Sequence, residues 1–186
     1  MPKYGLIADI GGTNARFALA DSTGYHDELI YKCADFPGPK EVVEKYFSDL
    51  GVAEPPRSGA FAIAGPVHGD VFKATNMPWH FSVSELRDML GFQSLKLYND
   101  FEAIALSVPH LGGGEVRQVG GGRPRDNAPI GVIGPGTGLG VASLFHDGDE
   151  YHALPAEGGH VTAPAISQRE FDIFQVLLHK YSHVSA

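Results

Sequence analysis

The segment Tyr4-Gly5-Leu6-Ile7-Ala8-Asp9-Ile10-Gly11-Gly12-Thr13-Asn14-Ala15-Arg16-Phe17-Ala18-Leu19-Ala20 decides how the chain is read. Its first half is apolar at nearly every position, which predicts a strand over Tyr4 to Ile10, central in a sheet with both faces covered. Gly11 to Asn14 breaks the run, and Ala15 to Ala20 alternates as a second strand would, so the glycine turn joins strand to strand as a hairpin. Such a turn is not a Walker loop, because no Gly-Lys-Ser/Thr follows, and it is a poor dinucleotide fingerprint, because it opens no helix. It offers backbone N–H groups with no Cβ wall in front of them, beside the Thr13 hydroxyl. Phosphate is the natural ligand of that arrangement. Asp9, at the strand end, can hold Mg²⁺ directly or through water, since Mg²⁺ prefers few carboxylates plus phosphate oxygens. The plainer alternative is a turn-capping aspartate.

Beyond this hairpin, Leu29 to Cys33 predicts a third strand, and Glu41 to Leu50 a helix with Val42, Val43, Tyr46, Phe47 and Leu50 on one face and Gly51 as its stop. Gly59 to Ala64 reads as a further buried strand ending at Gly65-Pro66. Ser82 and Glu85 form a capping box for a helix carrying Val83, Leu86, Met89 and Leu90, with Gly91 after it. Leu95 to Asn99 is a short strand delivering Asp100, and Phe101 to Ser107 the helix that follows. The first lobe is therefore expected to be α/β with a mixed sheet, in the order β-β-β-α-β-α.

Residues 111 to 129 change character, with Gly112-Gly113-Gly114, Gly120-Gly121-Gly122 and Pro124, and a lobe boundary is expected just before them, giving lobes 1–110 and 111–186. A second strand-glycine-strand unit follows: Ile130 to Ile133, Gly134 to Gly140, Val141 to His146. Gly12-Thr13 overlays Gly136-Thr137 and Phe17-Ala18 overlays Val141-Ala142, a weak internal repeat. Its physical reading is two lobes of related topology presenting their turns to a shared cleft. A second capping box, Ser167 and Glu170, predicts a helix with Phe171, Phe174, Leu177, Leu178 and Tyr181 inward.

Composition bounds the rest. The 186 residues are 43% hydrophobic and 19% charged with a mean hydropathy of −0.08, as in soluble globular proteins. The net charge of −8 and the lack of any Lys/Arg run argue against a nucleic-acid partner. One cysteine, Cys33, provides no internal disulfide and no thiolate metal site, which fits a reducing, cytoplasmic compartment. Met1-Pro2-Lys3-Tyr4 leads into an apolar segment interrupted by Asp9, too short for a signal or a membrane span, so the chain is expected to start where its fold starts.

Asp100, at the carboxyl end of a strand and the start of a helix, is the best general-base candidate, and Asn99 beside it can donate and accept as a pair of sugar hydroxyls requires. An Asx turn or a helix N-cap is the structural alternative. Glu157-Gly158-Gly159-His160 joins a carboxylate and an imidazole through two glycines that let backbone approach a ligand, or is an ordinary loop. His146, His152 and His160 lack zinc spacing. Asn76 offers hydrogen bonds from a loop over the same cleft, and Trp79 either an apolar wall or a core anchor.

Taken together, these segments resemble the bacterial ATP-dependent glucokinases of the sugar kinase, actin and Hsp70 superfamily. Asp9-Ile10-Gly11-Gly12-Thr13-Asn14-Ala15-Arg16 is similar to that family's first phosphate motif, and Gly134-Pro135-Gly136-Thr137-Gly138-Leu139-Gly140 to its second. Asn99-Asp100-Phe101 resembles its catalytic segment, and Leu154 to Val161 its sugar-binding segment. The resemblance runs from about Lys3 to Ala186. It implies an actin-like (ribonuclease H-like) ATPase fold and, in glycolysis, transfer of the γ-phosphoryl of ATP to glucose with Mg²⁺. Asp100 would be the base. Asn99, Asp100, Gly138, Glu157 and His160, with Asn76 as a further candidate, would bind glucose. Ala8, Asp9, Ile10, Gly11, Gly12, Thr13, Asn14, Gly136 and Thr137 would face the nucleotide, Asp9 holding Mg²⁺ through water. It implies a homodimer for the full-length family protein, and no membrane partner. Family members continue past the segment resembling His183-Val184-Ser185-Ala186, so the chain is expected to be an amino-terminal fragment lacking the adenosine pocket, the glutamate that follows at once and contacts the sugar, and a helix that returns to the first lobe. The competing readings are a non-catalytic sugar sensor, disfavoured because no helix-turn-helix precedes the first strand, an inactive kinase fragment, and a phosphatase or acyl-phosphate kinase on the same fold.

Overall fold

In the computed structural model, which describes residues 4–67, 69–74, 77–135 and 138–185, the opening apolar run becomes β1 (Gly5–Ile10), the middle strand of its sheet. The chain continues through β2 (Asn14–Asp21), β3 (Gly24–Lys32), α1 (Pro39–Leu50), β4 (Ser58–Ile63), the short strands β5 (Val71–Lys73) and β6 (His80–Ser82), α2 (Val83–Met89) and β7 (Ser94–Asn99). It then forms α3 (Asp100–Ser107), β8 (Ile130–Pro135), β9 (Leu139–His146), β10 (Tyr151–Ala156) and α4 (Gln168–Lys180). Residues 1–100 and 101–186 form two compact units.

The first unit is built on a mixed sheet in the order β3-β2-β1-β4-β7. β1, β2 and β3 form an antiparallel meander, with Asp9 opposite Arg16 and Ile10 opposite Ala15. β4 and β7 run parallel to β1, so each needs a crossover, and these carry α1 and the β5–β6–α2 segment. Leu6, Ile10, Phe17, Phe61 and Ile63 meet Val42, Val43 and Tyr46 of α1 and Leu86 of α2 in one buried cluster. Trp79 belongs to it, and its indole N–H donates to the Phe36 carbonyl at 3.1 Å, which makes it the core anchor of the two readings.

Several expectations are corrected. In β1, Leu6, Ala8 and Ile10 are buried, Ile7 is half-buried and Asp9 exposed, so one face is covered and not both. Both helices of the unit join the cluster with that buried row. The third strand begins at Gly24 and stops at Lys32, because Cys33 opens a 3-10 turn, Cys33–Asp35. β5, β6 and β10 were not anticipated, being short, interrupted by polar residues or carrying a proline. In α2 only Leu86 is buried and Met89 is 53% exposed. The Ser82 hydroxyl oxygen accepts from the Glu85 N–H at 3.1 Å, and Asp70 takes the Ser84 N–H at 2.8 Å.

In the second unit, β8, β9 and β10 form an antiparallel sheet in the order β10-β9-β8. Ala105 of α3 packs with Ala142 and Leu144 of β9, joined by Phe101, Leu106, Val108, Ile130 and Val132. The expected lobe boundary lay at 110/111, whereas the compact units divide at 100/101, because α3 contributes its apolar residues to the core of the second unit. Residues 111–129 carry no helix or strand. α4 has the complete capping box of Ser167 and Glu170, yet none of its residues is buried, and Phe171, Leu178 and Tyr181 are about half exposed. The amphipathic pattern identified the side that seeks cover, and the described residues supply none. No helix among the described residues is long and apolar enough to cross a membrane.

Candidate functional site

The first glycine turn lies between paired strands, and its geometry is set from two sides. The Gly11 N–H donates to the Asn14 carbonyl at 2.9 Å, closing the turn, and the Cys33 N–H donates to the Thr13 carbonyl at 2.9 Å. The Cys33 thiol, buried and pushed above its ordinary pKa by that burial, donates to the Gly11 carbonyl at 3.4 Å. Gly11 is not in the left-handed region, and a Cβ there would meet only the Asn14 carbonyl oxygen, at 3.6 Å. The turn itself does not need glycine at Gly11; what glycine leaves there is open access to the backbone.

A cavity of about 310 Å³ opens at this turn, lined by Asp9, Gly11, Gly12, Thr13, Asn14 and Arg16. The side chains of Ala8 and Ile10 are buried in the core, and the Ile10 carbonyl is taken by the Ala64 N–H at 2.9 Å. Of the predicted nucleotide-facing residues, the cavity therefore brings together Asp9, Gly11, Gly12, Thr13 and Asn14. Arg16 is the member that the sequence reading left without a role: its Nη1 lies 3.1 Å from Asp9 Oδ2 and its Nε 3.4 Å from Glu28 Oε1. The signal was present in the hairpin register, which sets Asp9 directly across from Arg16. The guanidinium gives this turn a positive neighbour.

At the same carboxyl end of the parallel strands, Asn99 closes β7 opposite Ile63 of β4, which in turn lies opposite Ile10 of β1. Its Nδ2 donates to the Gly65 carbonyl at 3.1 Å, tying down the turn that follows β4. Asp100 follows as the first residue of α3, at the carboxyl end of a parallel strand where open α/β sheets place ligand groups.

In the second unit, β8 and β9 flank the second glycine turn, with Pro135 opposite Leu139 and Gly134 opposite Gly140. Gly136 and Thr137, and Asn76 in the first unit, lie outside the described residues. Gly138 is exposed, and a Cβ there would meet nothing within 4 Å. Glu157 leads into the 3-10 turn Gly158–His160, and the His160 N–H donates to the Glu157 carbonyl at 2.9 Å. The two side chains face each other, His160 Nε2 lying 3.6 Å from Glu157 Oε2, and both are exposed. This turn rests on the start of β9: a Cβ on Gly158 would come within 2.9 Å of Val141, and one on Gly159 would overlap the Leu139 carbonyl. Gly138, Glu157 and His160 are thus gathered at one end of β9, an acceptor and an imidazole next to open backbone. That set can hold vicinal hydroxyls.

The glucokinase family model matches residues 6–186. Glucokinase from Paramagnetospirillum magneticum is 45% identical over 100% of this chain and 59% of its own length, and that from Aromatoleum aromaticum 47% identical over 97% and 55%. Among solved structures, a glucokinase from an Antarctic psychrotroph superposes with a TM-score of 0.82 at 33% identity, covering 100% of this chain and 59% of the other. Glucokinase from Balamuthia mandrillaris, solved in complex with glucose, gives 0.67 at 25% identity over 96% and 55%. The chain spans a little over half the length of these relatives. With a phosphate-type turn, a strand-end aspartate and a polar pair beside open backbone all falling inside the matched region, the chain belongs to the glucokinase family.

Proposed function

We propose that the chain carries the phosphate turns, the base and a sugar-binding pair of an ATP-dependent glucokinase of actin-like (ribonuclease H-like) fold, which makes glucose 6-phosphate and ADP from glucose and ATP in the cytoplasm, at the head of glycolysis. The observation that supports this most is 45% identity across the whole chain to a relative named glucokinase. The glucose-bound structure of the Balamuthia mandrillaris protein supports the choice of sugar.

In this reading the 6-hydroxyl oxygen of glucose bonds to the γ-phosphorus as the bond from that phosphorus to the β,γ-bridging oxygen breaks, and the hydroxyl proton passes to Asp100. A carboxylate is a weak base for an alcohol, so Asp100 orients the hydroxyl and takes its proton late. Glu157 accepts from sugar hydroxyls, with His160 adding hydrogen bonds beside it and Gly138 leaving room for the ring. The N–H groups of Gly11 to Thr13 donate to phosphate oxygens. Catalysis is mostly positioning and charge stabilisation.

The residues fit a magnesium ion. Asp9 is an exposed carboxylate beside the first glycine turn, which suits a cation that takes one or two carboxylates and shares the rest with phosphate and water. Asp9 would hold it through water; when bound, the ion neutralises charge on the phosphates.

Calorimetric titration tests the reading. Glucose is expected to bind saturably while galactose does not, and Glu157→Ala to abolish the glucose signal. Equal responses to the two sugars would overturn the assignment of the sugar-binding pair.

A further inference from the structure

The residue after the proposed base is seated in an unusual slot. Phe101, second in α3, lies over Gly134 of β8 and Gly140 of β9, which are directly paired across the two strands. A Cβ on Gly134 would come within 2.7 Å of the Phe101 ring, and one on Gly140 would overlap it. Neither glycine is in the left-handed region, so backbone conformation does not demand glycine at either position. The ring demands it. Along the same face the next cross-strand pairs are Val132 with Ala142 and Ile130 with Leu144, so side-chain bulk grows away from the glycine turn. The sheet surface is cut deepest where the ring enters, and α3 carries Ala105 and Leu106 into the same cluster.

We infer that Phe101 is a positioning residue for Asp100: by locking the first turn of α3 onto the Gly134–Gly140 pair, it fixes the backbone from which the base projects. The inference rests on the proposed kinase reading for its consequence, and on the packing alone for its cause. Close-packed interiors transmit a misfit of one methyl group into backbone displacement, and a catalytic group moved by about 1 Å costs on the order of 10²-fold in rate. Phe101 itself touches no substrate in this account.

The test is a double-mutant cycle in the purified chain. Gly140→Ala is expected to lower kcat roughly 10²-fold while leaving KM for glucose within about twofold, and adding Phe101→Leu to Gly140→Ala should restore at least about tenfold of it, because the smaller side chain vacates the space the new methyl needs. Strictly additive losses, or a KM effect equal to the kcat effect, would overturn the inference. Hydrogen exchange supplies a readout independent of turnover: Gly140→Ala should speed exchange of the α3 amides, and Phe101→Leu should reverse this. The exchange pattern decides the packing claim whether or not the parent chain turns over, unchanged α3 exchange in Gly140→Ala overturning it.

Discussion

Gly159 sits against the Leu139 carbonyl so closely that a β-carbon on it would overlap the oxygen. The contact holds the Glu157–His160 turn on the first residue of β9, directly after Gly138. Gly159→Ala must push the turn away from the strand. Overpacking of this kind costs about 1–3 kcal/mol, and glucose binding is expected to be lost beyond what that destabilisation explains. Urea unfolding set beside glucose titration checks it; retained glucose affinity in the folded variant would show that the turn's seat is irrelevant to the sugar.

Asp100→Ala should separate binding from turnover. Sugar affinity is expected to stay measurable while kcat falls by roughly 10²-fold or more, because proton acceptance is lost and the remaining sugar contacts are kept. Steady-state kinetics with glucose as the varied substrate measures both, and near-normal kcat would remove Asp100 from its role.

Asp9 should behave differently. Its pairing with Arg16 is exposed on both sides, and exposed ion pairs contribute about 0–1 kcal/mol, so Asp9→Asn is expected to unfold at nearly the parent's urea midpoint. Its effect should fall on the nucleotide, as a raised KM for ATP and a steeper dependence on Mg²⁺ concentration. A large fall in stability with unchanged ATP kinetics would mark Asp9 as a turn-capping residue only.

Much of this was legible beforehand, and the reasons differ between elements. The first hairpin could be read because two apolar strands flank a glycine break and the sheet preserves that contrast, Ile10 being opposite Ala15. The caps at Ser82 and Ser167 could be read because capping is local chemistry: each hydroxyl accepts from the N–H three residues on. β5 and β6 could not, since three-residue strands show no period. The exposure of Phe171 and Leu178 was also hidden, because periodicity names the side that wants burial without saying what covers it. At the candidate site, the placement of Asp9 and Asn99 near strand ends was legible from residue pattern, whereas the Asp9–Arg16 pairing needed the strand register and the seat of Phe101 needed the glycine pair beneath it.

Alkaline stability reports on the core of the first unit. Tyr46 is fully buried, with its hydroxyl donating to the Asp27 carbonyl at 3.0 Å, and burial together with the Asp27 charge pushes its pKa up to about 12 from 10.0. A raised pKa means that the folded state prefers the neutral phenol. Its stabilisation is complete below pH 10 and is lost as pH rises towards 12. Thermal unfolding across that window should show a falling midpoint that Tyr46→Phe flattens, and equal slopes in the two proteins would contradict the assignment.

At the acid end, Glu170 has its pKa lowered by the N–H of Ile166 first and by Ser167 next. A lowered pKa stabilises above the ordinary value and fades as pH falls through the folded one, so α4 should lose helicity below about pH 4.5. Removing the cap with Ser167→Ala is expected to cost about 1 kcal/mol at neutral pH. Circular dichroism of both proteins from neutral to acid checks the pair, and an acid transition unchanged by Glu170→Gln would count against the capping box as its origin.

The central claim is that these residues pass phosphoryl groups from ATP to glucose, and the most direct measurement is glucose 6-phosphate formed from ATP and Mg²⁺ by the purified chain, with galactose and acetate as alternative acceptors. The account predicts product with glucose, little with galactose, none with acetate, and loss of the glucose signal in Asp100→Ala. Phosphoryl transfer to acetate, or glucose 6-phosphate formed equally well by the Asp100→Ala protein, would contradict it.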